Sequence, residues 1–338
     1  MKKVLVTICA MAAVLACTKT EVTFDEPGEI SFAPVSKYAT KADDAPAFDQ
    51  DFYVYAYTTE GTPYFTNVLF QDNTTAGVYL GSTPQYWPNE KALKFAGVTA
   101  TGATNNVNVS MSAWGEMTVE DYVQPLPSAT ETKDLMYFFD EGTDGDDAGD
   151  TPDGYKKPTT NEVNVTPVMH HACSKLSFNV AVQSNLVGYW NDIKIHTVTI
   201  ESLQNKGTVT FTENPLGVAW TNTSNAVDSD SDMTIFNNST GVGISASATS
   251  LATSETIVIP QTPFDISVTY SYTTAASGTT RITENVSDVS LQYNGTNAWA
   301  PGVHYTYNLT IGADQIKIAP KAEDWTTGSG SGLSQDVK

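Results

Sequence analysis

The sequence predicts an all-β protein: two tandem antiparallel β-sandwich domains of Greek-key type. Three observations point there. Period-two runs recur along the chain: Ile266, Val268, Tyr270 and Tyr272 alternate with Ser267, Thr269, Ser271 and Thr273, and Tyr305, Tyr307, Leu309 and Ile311 alternate with Thr306, Asn308 and Thr310. Strands with one dry and one wet face read this way. The composition is rich in Tyr, Thr, Val, Gly and Asn and lacks long stretches of Ala, Leu, Glu and Lys, which is a strand composition. Gly, Pro, Asn and Asp fall between the alternating runs, as turns do in sandwiches.

Taken in order, residues 1–16 read as an export signal. Lys2 and Lys3 precede an apolar run from Val4 to Ala16 that is too short to span a bilayer. Leu15-Ala16-Cys17 fits a bacterial lipobox, in which Cys17 takes the lipid after cleavage before it; an ordinary secretory signal with a chance Cys is the plainer alternative. No other stretch reaches eighteen apolar residues, so no other membrane span is expected. Val22 and Phe24, then Ile30 and Phe32, have strand parity, and Pro34 suits a strand end because it withholds an N–H. The polar, Pro-containing stretch from Ser36 to Phe48 reads as an exposed linker carrying Lys41-Ala42. "DFYVYAY" (51–57) is apolar on both faces, as in a covered central strand. Asp140 to Lys157 is an acidic Gly-rich loop. Val168, Leu176, Phe178, Val180 and Val182 share one parity, which puts His170 on the apolar face and His171 and Cys173 on the polar face. A break near 185–191 divides residues 42–188 from 189–338 as the two sandwiches; residues 17–41 precede them as a prosegment. Asn214 to Ser254 is expected to contain long loops, and the tail from Thr326 to be flexible by composition.

Charge narrows the partners. The formal net charge is −21, and it becomes −23 once Lys2 and Lys3 leave with the signal. Such a chain repels nucleic acid and anionic lipid surfaces. Of three cysteines, Cys9 lies in the signal and Cys17 is the lipid site, so Cys173 has no partner for an intramolecular disulfide. Catalytic signatures are missing: there is no GxSxG, no HExxH and no phosphate loop, so no enzyme, catalytic residue or cofactor is expected. His170, His171 and Cys173 invite a zinc reading, but strand alternation splits them across two faces and no metal site is expected there. The acidic loop lacks the spacing of a calcium-binding EF-hand and reads as a solvated loop. The six Trp residues read mostly as packing, with a sugar-stacking platform as the alternative for some.

Six stretches occur in an order that resembles the fimbrillin family of Bacteroidales, the lipoprotein pilins of the type V class, and especially its Mfa-like branch. They are "YWPNEKALKFAGV" (86–98), "KDLMYFF" (133–139), "VTPVMHHACSKLSFNV" (165–180), "IVIPQTP" (257–263), "WAPGVHYTYNLTIG" (299–312) and "EDW" (323–325). The resemblance implies two transthyretin-like sandwiches. It also implies a life history: export as a lipoprotein to the outer membrane, removal of an N-terminal strand by proteolysis at the surface, and completion of the groove by a strand from another pilin subunit. The product is an adhesive fimbria with host or bacterial surface ligands. Carried onto this chain, the lipid site is Cys17, the cleavage falls between Lys41 and Ala42, and the removable strand holds Val22, Phe24, Ile30 and Phe32. Two departures stand out. Lys replaces the Arg expected at the cleavage site, and the C-terminal segment, from which the family draws its incoming strand, offers only Leu333 and Val337 amid Gly and Ser. "QIKIAP" (315–320) alternates better but precedes Trp325, a position that fits a strand of the domain itself, so a shaft role and a tip or accessory role both stay open for the subunit. The competing function is a monomeric surface lipoprotein that binds glycan or protein through its loops and keeps residues 18–41.

Overall fold

The computed structural model describes residues 28–36, 48–73, 77–100, 107–125, 134–142, 154–157, 165–224, 232–251, 256–292, 298–313 and 315–325. In chain order the strands are β1 (Ser31–Phe32), β2 (Val35–Ser36), β3 (Phe52–Thr58), β4 (Pro63–Asp72), β5 (Tyr79–Gly81), β6 (Leu93–Thr99), β7 (Asn108–Ala113), β8 (Glu116–Val123), β9 (Met136–Asp140), β10 (Val168–His171), β11 (Ser174–Val182), β12 (Trp190–Ile200), β13 (Lys206–Thr212), β14 (Gly217–Ser224), β15 (Met233–Gly243), β16 (Thr249–Ser250), β17 (Thr256–Val258), β18 (Asp265–Thr274), β19 (Ile282–Ser290), β20 (Val303–Ile311) and β21 (Ile316–Asp324). A single 3-10 turn at Ser184–Leu186 is the one helical element among the described residues. The all-β class read from the sequence is the class observed.

The strands form four sheets. The largest has the order β1-β5-β4-β3-β6-β9-β10-β2, and a four-stranded sheet, β14-β13-β8-β7, covers one of its faces. β3 is buried on both faces, as "DFYVYAY" predicts. Phe52, Val54 and Ala56 enter one core with Phe70, Phe95 and Phe138, while Tyr55 and Tyr57 enter another with Met117, Val119 and Phe211. Both phenols are tied down, Tyr55 Oη donating to the Val109 carbonyl at 2.8 Å and Tyr57 Oη to that of Met111 at 2.9 Å. Gly97 of β6 must lack a side chain, because a Cβ there would meet the Phe138 ring and lie 2.8 Å from the Tyr53 carbonyl oxygen. The second sandwich faces β16-β11-β20-β21 against β15-β12-β18-β19. Its core takes Ile266, Val268 and Tyr270 from β18 and Tyr307, Leu309 and Ile311 from β20, the inward set that alternation picks out.

Three findings depart from local expectation. First, β11 and β20 run parallel through eight register pairs, from Lys175↔His304 to Val182↔Ile311. Second, the hydrogen bonding does not follow the line expected between residues 188 and 189. β11 already belongs to the second sandwich, whereas β13, beyond that line, pairs with β8 through partners such as Phe211↔Met117. Third, the parity read across 168–182 breaks. Val168 is exposed while Met169, His171 and Cys173 are buried, so His171 and Cys173 are not on a wet face. The physical reason is that β10 and β11 are separate strands in different sheets, and the chain resets its phase at Ala172-Cys173. Among the described residues of 214–254 lie β14, β15 and β16, and β15 turns Met233, Ile235 and Phe236 inward.

Candidate functional site: the closing N-terminal strand

The largest sheet begins and ends on the same short segment. β1 and β2 both belong to residues 31–36 and sit at opposite ends of the strand order, so this segment joins the sheet's two edges. On one side, Ser31 and Phe32 pair antiparallel with Leu80 and Tyr79 of β5, Glu29 bridges Tyr86, and the Ile30 N–H donates to the Gln85 carbonyl at 2.7 Å. On the other side, Val35 and Ser36 pair parallel with Val168 and Met169 of β10. Phe32 bridges Val165, the Ala33 N–H donates to the Val165 carbonyl at 2.8 Å, and the Val165 N–H returns to the Ser31 carbonyl at 2.9 Å.

The side chains follow period two. Ile30 and Phe32 are 0% exposed, and Pro34 is buried as well. The Phe32 ring meets Phe70 at 4.7 Å, Phe95 at 5.2 Å and Phe52 at 5.8 Å between centroids, all edge-to-face, and lies 6.2 Å from Phe138. Edge-to-face pairs at these spacings add to the energy of area burial. Beside them, Tyr79 donates its phenol to the Phe48 carbonyl at 2.6 Å, and burial pushes that phenol's pKa up. Without residues 28–36 the aromatic core would face solvent, and β5 and the 165–169 stretch would each present an unpaired edge.

Of the residues singled out from sequence, Ile30 and Phe32 sit together at this site. Cys17, Val22, Phe24, Lys41 and Ala42 lie outside the described residues. The sequence reading missed Val165 and Met169, the partners on the parallel side, because nothing local in "VTPVM" says which strand lies beside it.

A second buried constellation lies where β10 passes into β11. His171 Nδ1 hydrogen-bonds Asp134 Oδ2, and the His171 ring stacks on Trp325 at 4.0 Å and 8°. Cys173 Sγ lies 3.5 Å from Gln124 Oε1, and its thiol pKa is pushed well up, first by burial and then by the Asp134 carboxylate. A thiol held protonated in this way is a poor nucleophile and a poor metal ligand. Among the described residues no group of three or more His, Cys, Asp or Glu is placed to hold a metal ion.

The site is thus a strand slot: residues 28–36 complete the largest sheet along both of its edges. The chain belongs to the fimbrillin-like family, whose model matches residues 40–325. The fold is that of a fimbrial protein from Bacteroides vulgatus, at a TM-score of 0.62 and 15% identity, over 88% of this chain and 100% of that one. A cell-adhesion candidate from Bacteroides uniformis is similar at a TM-score of 0.47 and 16% identity, over 88% of this chain and 100% of that one. The fimbrial anchor protein of Porphyromonas gingivalis is similar at 0.37 and 11%, over 90% and 100%. No curated protein matches the sequence.

Proposed function

We propose that the protein is a structural, non-enzymatic subunit of a surface fimbria, exported as an outer-membrane lipoprotein through Cys17. In this reading residues 28–36 are a temporary part of the fold. Cleavage after Lys41 releases the lipid and the closing strand together, and a strand from another subunit takes the vacated slot. One observation carries the reading: a segment of nine residues is hydrogen-bonded on both sides and fills the centre of an aromatic core, yet it lies upstream of a polar stretch containing Lys37 and Lys41. A donated strand satisfies backbone groups on both edges and sets alternate side chains in the core, which gives affinity and register at once. Contact with host or bacterial surface ligands would follow from the assembled fibre.

The test is limited digestion of residues 18–338 with a Lys-specific protease, followed by N-terminal sequencing and sizing. The expected result is a new N-terminus at Ala42 and uptake of an added peptide spanning residues 26–36, or growth into heat-sensitive larger species. Persistence of an intact monomer that keeps residues 18–41 and takes up no peptide favours the monomeric lipoprotein instead.

A further inference from the structure

A lysine, two glutamates and a tryptophan meet where β6 begins and β9 ends. The two strands pair antiparallel up to Phe95↔Asp140, and the next step of that ladder sets Lys94 opposite Glu141. Directly opposed side chains lie within reach of each other, and Lys94 Nζ stands 2.7 Å from Glu141 Oε1. The two side chains are only 14% and 21% exposed, whereas the carboxylate of the Lys206–Asp121 pair is 76% exposed. Aromatic rings form the walls. Lys94 Nζ lies 4.9 Å from the centre of the Trp114 ring, which meets Tyr57 at 6.0 Å and Phe139 at 5.8 Å between centroids. The Trp114 indole N–H donates to Glu141 Oε1 at 2.9 Å. Glu213, just past β13, completes the group. Its backbone N–H donates to the Gly115 carbonyl at 3.0 Å, and its carboxyl hydrogen-bonds that of Glu141. Burial, then the Glu141 charge, raise the Glu213 pKa, so Glu213 is the carboxyl that holds a proton.

We propose that Lys94 and Glu141 condense into an intramolecular amide, a covalent tie from β6 to β9, with Glu213 as the proton carrier. The step needs no other reactant. Proton transfer within the ion pair gives a neutral amine and a neutral acid, the forms that dry surroundings favour. The Nζ lone pair bonds to Glu141 Cδ, and the carbonyl π electrons move onto the oxygen. The Trp114 N–H, already aimed at Oε1, stabilises the charge that develops there. Glu213 takes a proton from the nitrogen at one oxygen and delivers its own to the departing hydroxyl. The Cδ–O bond breaks, its electrons leave with that oxygen, and one water departs. Glu213 ends protonated as it began, and nothing is oxidised or reduced. In dilute solution this condensation is unfavourable. Amine and acid held in contact act at the high effective concentrations of intramolecular reactions, and dry walls slow the return of water. The tie joins the strands that carry Phe95 and Phe138 whether or not residues 28–36 are later exchanged, so it does not depend on the strand-exchange reading.

The test is the intact mass of residues 18–338, incubated folded at neutral pH until the mass no longer changes, followed by tryptic mapping. The expected mass is one water below that of the sequence. Trypsin should fail to cut after Lys94 and should yield one branched peptide that joins residues 92–133 to residues 134–156. Lys94→Arg keeps the ion pair but offers no amine for the bond, so it should show the full sequence mass. Boiled in detergent, the parent keeps the stretch from 94 to 141 closed as a loop and should migrate ahead of Lys94→Arg on a gel. Glu213→Gln, checked for its fold by circular dichroism, should likewise keep the full mass. A branched peptide in Glu213→Gln at the parent's yield would overturn the role of Glu213. A parent protein of full sequence mass, or a lost water that leaves Lys94 open to trypsin, overturns the cross-link itself and leaves Lys94–Glu141 an ordinary half-buried ion pair.

Discussion

Phe32 touches phenyl rings from four different strands, Phe52 of β3, Phe70 of β4, Phe95 of β6 and Phe138 of β9. Little around it can collapse, because the rings that would move inward are each held by their own strand. Phe32→Ala should therefore lie in the upper range for a buried aromatic, about 3–5 kcal/mol. Urea unfolding of the intact protein measures this, and a loss below about 1 kcal/mol would mean that the segment contributes little to the first core. The inward parity of Ile30 and Phe32 was legible in the sequence because alternation is a local property of an extended chain. The burial of His171 and Cys173 was not. It depends on a phase change at the crossing from one sheet to the next, and on Trp325, more than 150 residues away, arriving to cover the His171 ring.

β9 shows how an element's end sets a pH response. Asp140 closes this strand with its carboxylate half-buried, accepting the Tyr155 hydroxyl at 2.9 Å and the Gly142 N–H at 3.1 Å. Burial raises the Asp140 pKa, and the two hydrogen bonds offset that only in part. The fold thus favours the neutral acid. The stabilisation is fully present below the ordinary Asp value of about 3.9 and is lost as pH rises through the raised value in the folded protein. Asp140→Asn should have nearly the same urea midpoint as the parent at pH about 3.5 and a higher one at pH 7. A parent protein whose midpoint relative to Asp140→Asn rises between these pH values would contradict the sign. At this scale β3 was legible, since unbroken apolarity over the six residues Phe52–Tyr57 admits few readings. The pairing of β13 with β8 was not, because Val209 and Phe211 announce a buried face without naming the sheet that buries it.

That pairing decides how the two halves of the molecule depend on each other. Every buried residue of the second core lies between Leu176 and Ile311, so residues 174–338 contain a complete hydrophobic interior of their own. The β13–β14 hairpin, together with Ile257, Ile259 and Trp325, is the exception to this independence. The hairpin turns Val209 and Phe211 away from that interior onto Met117, Val119 and Tyr137 of the first sandwich, with Phe211 stacked on Tyr137 at 4.3 Å and 14°. The Trp220 indole N–H adds a 2.8 Å bond to the Ala172 carbonyl at the junction. A fragment of residues 174–338 should therefore unfold cooperatively in urea yet bind a hydrophobic dye, because its hairpin keeps an apolar face without the sheet that covers it. Val209→Ser with Phe211→Ser should weaken the dye binding, the remainder coming from Ile257, Ile259 and Trp325, and leave the fragment's urea midpoint nearly unchanged. In the full-length protein the same pair should cost several kcal/mol, since both side chains are fully buried there. Equal losses in fragment and full-length protein would mean that the hairpin belongs energetically to the second sandwich, and that the first sandwich folds without help from the chain that follows it.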